Sequence, residues 1–456
     1  MSAAAAGAAA PGPGRPAGHP DERVAADFVL RHAGELVTMA PGAVDPSGTD
    51  TVAGRGGSAD DGLGVLGGAA LAARDGRVVW VGRDDELGRA VEPLDGAAEL
   101  DAAGACVVPG FVDAHTHTVF AGSRADEYAA RLGGVSYAEI LASGGGIISP
   151  VRATRAAGLE ELTRTTLRRL DSFLAHGTTT VEVKSGYGLT TADEAKMLDA
   201  AAAGHPARRR LTLLGAHFTP PEFGGRDDEY IDLVCEVMLP ALRGRADFVD
   251  VFCDEGAFTV DQSRRVLEAG KRLGFGLKIH ADELARSGGS QLAAELGCVS
   301  ADHLVHAGPD EIAALRNAGV VAVLLPGTSF TLHQAYARAR DMLEAGLQVA
   351  LATDFNPGTC YCENLQQMIA LACQEMRLTP AQALRAATAG GAAALGLSSE
   401  VGSLEAGKAC DLVVLDAVSR HELPYHFGVN LAAAVVAGGR VVARRGLPCY
   451  EPEERP

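Results

Sequence analysis

Eight short apolar runs, separated by helical stretches at a near-regular interval, set the strongest limit on how this chain folds. They begin with Val107, Val108, Phe111 and Val112. They continue as Thr178–Lys184, Leu211–Ala216, Phe248–Cys253, Phe275–His280, Val299–Val305, Val320–Leu325 and Val349–Thr353. Gly or polar residues bound each run. The helix before the second run carries Leu159, Leu162, Leu167, Leu170, Phe173 and Leu174 on one face and is stopped by Gly177. Another helix is expected over 227–243. Eight such units over about 290 residues suit a (β/α)8 barrel. A doubly wound open sheet would share the rhythm, but no G-x-G-x-x-G opening accompanies any strand.

Flanking the barrel pattern are β-type segments at both ends of the chain. Phe28–Leu30, Glu35–Thr38 and Arg77–Val81 precede it, and residues 402–417 and 434–443 follow it. Neither group is large enough to bury a core alone, so one small β-sandwich built from both termini is expected. The expected organisation is a disordered Ala/Gly/Pro tail over 1–22, a composite sandwich from 23–105 and 400–450, and a barrel over 106–399. A turn-rich insertion, 46–64, interrupts the first part of the sandwich.

Charge and cysteine usage narrow the function. A net charge of −18 argues against nucleic-acid and anionic-membrane partners, both of which need a basic face. Nine scattered cysteines in no regular framework read as reduced cytoplasmic thiols. No apolar run approaches the roughly 20 residues that span a bilayer, and the N-terminus has no apolar signal core. The expected partners are a small-molecule substrate and a second copy of the chain, as a homodimer.

The chemistry collects where the strands end, which in such a barrel is where active sites form. Strand one ends in His115 and His117, whose i, i+2 spacing puts both rings on one face. Strand two ends in Lys184-Ser-Gly-Tyr187 and strand three in His217. Strand five ends in His280-Ala-Asp-Glu283, strand six in Asp302-His303, and strand eight in Thr353-Asp354-Phe-Asn356. Any one of these is explicable as a hydrogen-bonded core residue; the whole group at strand ends is not. Three histidines and an aspartate from this group give an N3O donor set for Zn²⁺ or a first-row transition ion. Such an ion activates water near neutral pH, so the chemistry is hydrolytic.

These residues resemble the amidohydrolase superfamily: H-x-H after strand one, His after strands five and six, Asp after strand eight. The return segment GSLEAGKACDLVVLD (402–416) is similar as well. PGFVDAHTHTVFAGSRADEY, GGGI, RATR, GTTTVEVKSGYGL, LLGAH, KIHADEL, ADHL and ATDFNPGT resemble the branch that opens a cyclic amide in histidine degradation. The likeness runs from about residue 70 to 440. It implies metal binding by His115, His117, His280 and Asp354, with one Zn²⁺ or Fe³⁺ ion per subunit. It implies substrate contacts from Arg124, Tyr187, His217, Glu283, Asn356, Gly358 and Thr359, and catalytic roles for Glu283, His303 and Asp354. The implied reaction is hydrolysis of 4-imidazolone-5-propanoate to N-formimidoyl-L-glutamate.

Two features of the residues agree with this. Strand four, DFVDVFCDEG, offers no Lys to bridge a second metal, with Asp254 and Glu255 just beyond it. Arg124 supplies a fork for a substrate carboxylate, unless it is spent in an ion pair with Asp126 or Glu127. Departures from the pattern are Pro150, Leu332-His333 and Cys360-Tyr-Cys362. A deaminase of a heterocycle such as guanine or cytosine would share the metal residues without needing Arg124 and Tyr187. A non-catalytic scaffold would have lost ligand positions that are all filled here.

Overall fold

The structure, a computed structural model, describes residues 23–40, 62–136, 139–140 and 143–450. The expected tail, 1–22, and residues 46–61 of the insertion lie outside them.

Strands from both ends of the chain build one mixed sheet. The first five are β1 (Val24–Val37), β2 (Val65–Arg74), β3 (Arg77–Arg83), β4 (Val91–Asp101) and β5 (Cys106–Pro109). The barrel follows as β6 (Phe111–Asp113), β7 (Thr178–Lys184), β8 (Arg208–Ala216), β9 (Phe248–Cys253), β10 (Gly276–Ala281), β11 (Ser300–His303), β12 (Val321–Leu324) and β13 (Val349–Leu351). The chain then returns as β14 (Leu412–Leu415), β15 (Ala432–Ala437), β16 (Arg440–Arg444) and β17 (Leu447–Pro448). The terminal sheet runs β17-β16-β15-β14-β5-β1-β2-β3, with β4 also on β1. Its two halves share one apolar cluster, including Phe28, Leu30, Leu71 and Leu100 from the N-terminal part and Leu412 and Val436 from the return. Neither half buries its face without the other.

Two expected strands, Phe28–Leu30 and Glu35–Thr38, are one strand with an irregularity between Leu30 and Ala33. His32 there takes φ 54°, which kinks the strand without ending it. Conversely, the run from Val107 to Val112 is two strands. Cys106–Pro109 pairs with β1 and β14 in the terminal sheet, and Phe111–Asp113 pairs with β7 in the barrel. Gly110 is the switch, and a Cβ there would lie 2.2 Å from Thr179 Oγ1.

All eight barrel strands run parallel in chain order. The ring closes beyond the strand ends, where Thr116 bridges Phe355, the Asp354 N–H donates to His115 O at 3.0 Å and the His117 N–H donates to Phe355 O at 2.8 Å. Asp113 adds a side-chain clasp, accepting from Thr353 N at 3.1 Å and Thr353 Oγ1 at 2.7 Å. The expected helix over 227–243 is continuous from Asp227 to Ala241, with an α-helical start at Asp227–Leu233, a wider π segment at Val234–Met238 and a last short α-helical turn at Leu239–Ala241. Pro240 in that last turn cannot donate an N–H, and a widened turn upstream relieves the missing bond.

Gly110→Ala should lower stability by about 1–3 kcal/mol, because the methyl has no room between the two sheets. Chemical denaturation measures this, and an unchanged midpoint would show that the crossing adapts freely.

Candidate active site

His115 and His117 project from the chain just past β6, Asp354 from the chain just past β13, and the closing bonds hold these two stretches side by side. His115 Nε2 lies 3.3 Å from His117 Nε2, and Asp354 Oδ1 lies 3.4 Å from the first and 3.6 Å from the second. His280, near the end of β10, brings its ring centroid within 4.5 Å of that of His115, and His303, the last residue of β11, within 5.4 Å. His115, His117 and His280 form one set of ligand atoms within 4.8 Å of one another, and His115, His303 and Asp354 form another. All five residues are buried.

The donors fit a metal ion. Three ligand atoms each about 2.1 Å from one tetrahedral ion stand about 3.4 Å apart, close to the spacing of these three. His280 gives independent support: its Nδ1 faces Asp250 Oδ2 at 3.1 Å, while its buried Nε2 has no hydrogen-bond partner. A buried nitrogen lone pair without a donor is costly unless something electrophilic takes it. Burial, foremost, holds His115, His117 and His303 well below the usual imidazole range, hence neutral and able to ligate. This His/Asp cluster is the kind that takes a divalent metal.

Carboxylates behind the imidazoles fix their orientation, an arrangement that the sequence reading passed over. Asp302 Oδ2 takes His115 Nδ1 at 2.7 Å. Asp250 does the same for His280. Asp354 is held by Thr328 Oγ1. Burial pushes the Asp354 carboxyl up to about 6, against the Thr328 hydrogen bond, so a cation beside it would favour the ionised ligand form. Asp354 and His303 adopt φ of 53° and 76°, conformations costly for residues other than glycine. The Asp354 N–H bond to His115 O helps to pay that cost.

The expected substrate residues fall into two groups. Tyr187 and His217 stand against His117: the His217 ring stacks on it at 5.3 Å, and the Tyr187 ring lies 6.0 Å away. His217 Nδ1 pairs with Gly186 O at 3.0 Å, and burial lowers the imidazole to about 4, so it is neutral. Glu283 Oε2 lies 3.6 Å from His303 Nε2. Burial first, then Asp354 and Asp254, push the Glu283 carboxyl well above its ordinary value. Its turn is anchored by Asp254, which accepts the N–H groups of Glu283, Leu284 and Ala285 at 2.6, 3.0 and 3.1 Å.

The second group lies on the loop after Asp354. Asn356 spends its amide on that loop: Nδ2 donates to Asp354 O and Thr359 Oγ1, and Oδ1 accepts from Gly358 N and Thr359 N. Its polar groups therefore shape the loop. Arg124 does pair with Glu127, at 2.7 Å, but the pair is largely buried, with side-chain exposures of 12% and 20%. Only Nε is engaged in that bond. Its Nη1 would lie 2.3 Å from a Cβ at position 358, so glycine there makes room for the guanidinium. A cavity of about 330 Å³ opens over the ends of β8 and β9, lined by Phe218, Thr219, Pro221, Asp227 and Ala257.

Residues 106–442 match the model of the amidohydrolase family. The chain is 51% identical over 427 residues to an imidazolonepropionase of Symbiobacterium thermophilum, covering 92% of this chain and 98% of that one. It is 45% identical over 423 residues to an imidazolonepropionase of Geobacillus kaustophilus, with 91% and 98% covered. Among solved structures, an adenosine deaminase from Xanthomonas campestris with bound zinc superposes with a TM-score of 0.66 at 21% identity, covering 94% of this chain and 96% of that one. The guanine deaminase of E. coli superposes at 0.64 with 18% identity, covering 92% and 100%. At those identities the two structures speak for the fold alone.

Glu194 offers a test of how the Tyr187 loop is held. Its buried carboxylate accepts from Gly186 N, Gly188 N and Leu189 N at 3.0, 2.8 and 2.7 Å. Glu194→Gln turns an NH2 toward those donors and should cost about 1–3 kcal/mol of stability. Wild-type denaturation behaviour in this variant would mean that the loop does not depend on the carboxylate.

Proposed function

The chain belongs to the amidohydrolase family, and from that premise we propose that it hydrolyses the ring amide of 4-imidazolone-5-propanoate to N-formimidoyl-L-glutamate in L-histidine degradation. The observation that carries this is the identity of 43–51% with relatives named imidazolonepropionase, over nearly their whole length. The deaminase alternative rests only on neighbours that share the fold at low identity.

His115, His117, His280 and Asp354 would hold one Zn²⁺ or Fe³⁺ ion per subunit. Bound there, the ion supplies Lewis-acid activation of water and of the substrate carbonyl. A single ion fits the surroundings, because Asp254 is committed to backbone N–H groups and Asp250 to Lys184 and His280. Arg124, steadied through Nε by Glu127, offers its remaining N–H groups to the propionate carboxylate. Tyr187 and His217 form the wall beside His117 on which the heterocycle packs, and Gly358 and Thr359 frame the approach to Arg124.

In the reaction the oxygen of water bonds to the ring carbonyl carbon, and the carbon–nitrogen bond of the ring then breaks. Glu283 accepts the proton that water loses and returns it to the departing nitrogen. Neutral His303, 3.6 Å from Glu283, donates a hydrogen bond to the oxygen on which negative charge develops. Asp354 would hold the ion beside them, and it is the alternative acceptor when Glu283 is replaced.

The nine free cysteines support a cytoplasmic location. No helix among the described residues is long and apolar enough to cross a membrane.

Arg124→Lys keeps the charge and loses the fork, so KM for the imidazolone should rise about tenfold or more. Unchanged kinetics would remove Arg124 from the substrate site. Glu283→Gln should retain metal while kcat falls about 10²–10⁴-fold. A loss below about threefold with metal retained would move the proton transfer to Asp354 or His303.

A further inference from the structure

Lys184 takes no part in the chemistry above, yet its ammonium is the centre of the ionic layer beneath the histidines. Nζ lies 2.7 Å from Asp250 Oδ2, 3.0 Å from Glu182 Oε1 and 3.3 Å from Asp302 Oδ2. The side chains of all four residues are 0% exposed. The two aspartates are the ones that hold metal-site imidazoles. Asp302 Oδ2 faces His115 Nδ1 at 2.7 Å, and Asp250 Oδ2 faces His280 Nδ1 at 3.1 Å. Asp302 thus shares one oxygen between an imidazole and the ammonium, whereas Asp250 turns Oδ2 to the ammonium and has His280 Nδ1 astride both its oxygens, Oδ1 lying at 3.2 Å. Glu182 is itself held by Lys278 Nζ at 2.8 Å and by Thr212 Oγ1, which leaves it as a fixed rest for Lys184. In this layer two lysines face three carboxylates. Burial alone would lower the Lys184 ammonium, but Asp250, Glu182 and Asp302 together hold it above its usual range.

We propose that Lys184 is a positioning residue for the metal: it ties Asp302 to Asp250 and so sets the mutual orientation of His115 and His280, which come from different strands. This rests on the reading of those histidines as ligands. Two physical effects of opposite sign decide the matter. As a nearby positive charge alone, Lys184 repels a metal cation, and its removal would tighten binding. As the tie between two buried anions, its removal lets them repel each other and turn the imidazoles. Loss of an outer partner of this kind typically weakens metal binding about 10–100-fold.

The experiment compares the wild type with Lys184→Met, both stripped by a chelator and confirmed folded by circular dichroism. Zn²⁺ is titrated in competition with a chromophoric chelator, and Co²⁺ is then loaded to read its visible ligand-field bands. The proposal expects the Zn²⁺ dissociation constant to rise about 10–100-fold and the Co²⁺ bands to shift. Unchanged or tighter Zn²⁺ binding with unchanged bands overturns it. A wild type that binds no Zn²⁺ or Co²⁺ overturns the ligand reading itself, and the proposal with it. If Lys184→Met does not fold, Lys184→Gln removes the ammonium while leaving a neutral hydrogen-bond donor in the layer and both aspartates unchanged. Zn²⁺ binding should then weaken at least fivefold, and wild-type affinity overturns the proposal.

Discussion

The backbone bonds that close the barrel between the end of β6 and the end of β13 are the constraint on which the site depends. They join residues some 240 positions apart, and Asp113 clasps Thr353 across the same seam. Because Asp354 N–H donates to His115 O and His117 N–H to Phe355 O, the two histidines and the aspartate are registered by main chain. Side-chain freedom contributes little to the spacing of 3.3–3.6 Å among their ligand atoms. A closed ring also excludes water from its interior, which strengthens every electrostatic interaction inside it. The seam thus fixes geometry and dielectric together.

A dry interior forces the rest of the design. Charges there must be paired, since removing one partner of a buried pair leaves an uncompensated ion. Below the histidines the barrel is filled by Glu182, Lys184, Asp250, Lys278 and Asp302, all buried, in place of the branched apolar layers usual at such positions. Asp302 and Asp250 set the ring orientations of His115 and His280, and Asp254 and Glu194 pin the loops that carry Glu283 and Tyr187. The candidate reacting groups are therefore held by side chains that are themselves hydrogen-bonded in place.

Much of this was legible in the sequence, for identifiable reasons. Eight strands separated by helices constrain topology strongly, and residues at strand ends in such a topology converge on one face. That convergence places His115, His117, His280, His303 and Asp354 together without any knowledge of their contacts. The supporting shell was harder to read. Glu182 with Lys184, Lys278 with His280 and Ser300 with Asp302 are polar pairs two residues apart inside otherwise apolar strands, a pattern that marks one inward-facing side. The signal was present, but pairing between strands depends on register, which periodicity does not supply. The same holds for Gly110: only the structure shows that one apolar run serves two sheets. Asn356 differs again, because a loop's internal hydrogen bonds follow from its backbone path.

The central claim is that this metal-holding cluster opens a cyclic amide. The most direct measurement is product analysis of the purified wild type on 4-imidazolone-5-propanoate, with metal content determined in the same sample and guanine and cytosine assayed alongside. The account predicts N-formimidoyl-L-glutamate in proportion to imidazolone consumed, turnover that disappears on chelation and returns with added metal, and no ammonia from either nucleobase. Ammonia release from a nucleobase with the imidazolone untouched, or full turnover by metal-free protein, would contradict it.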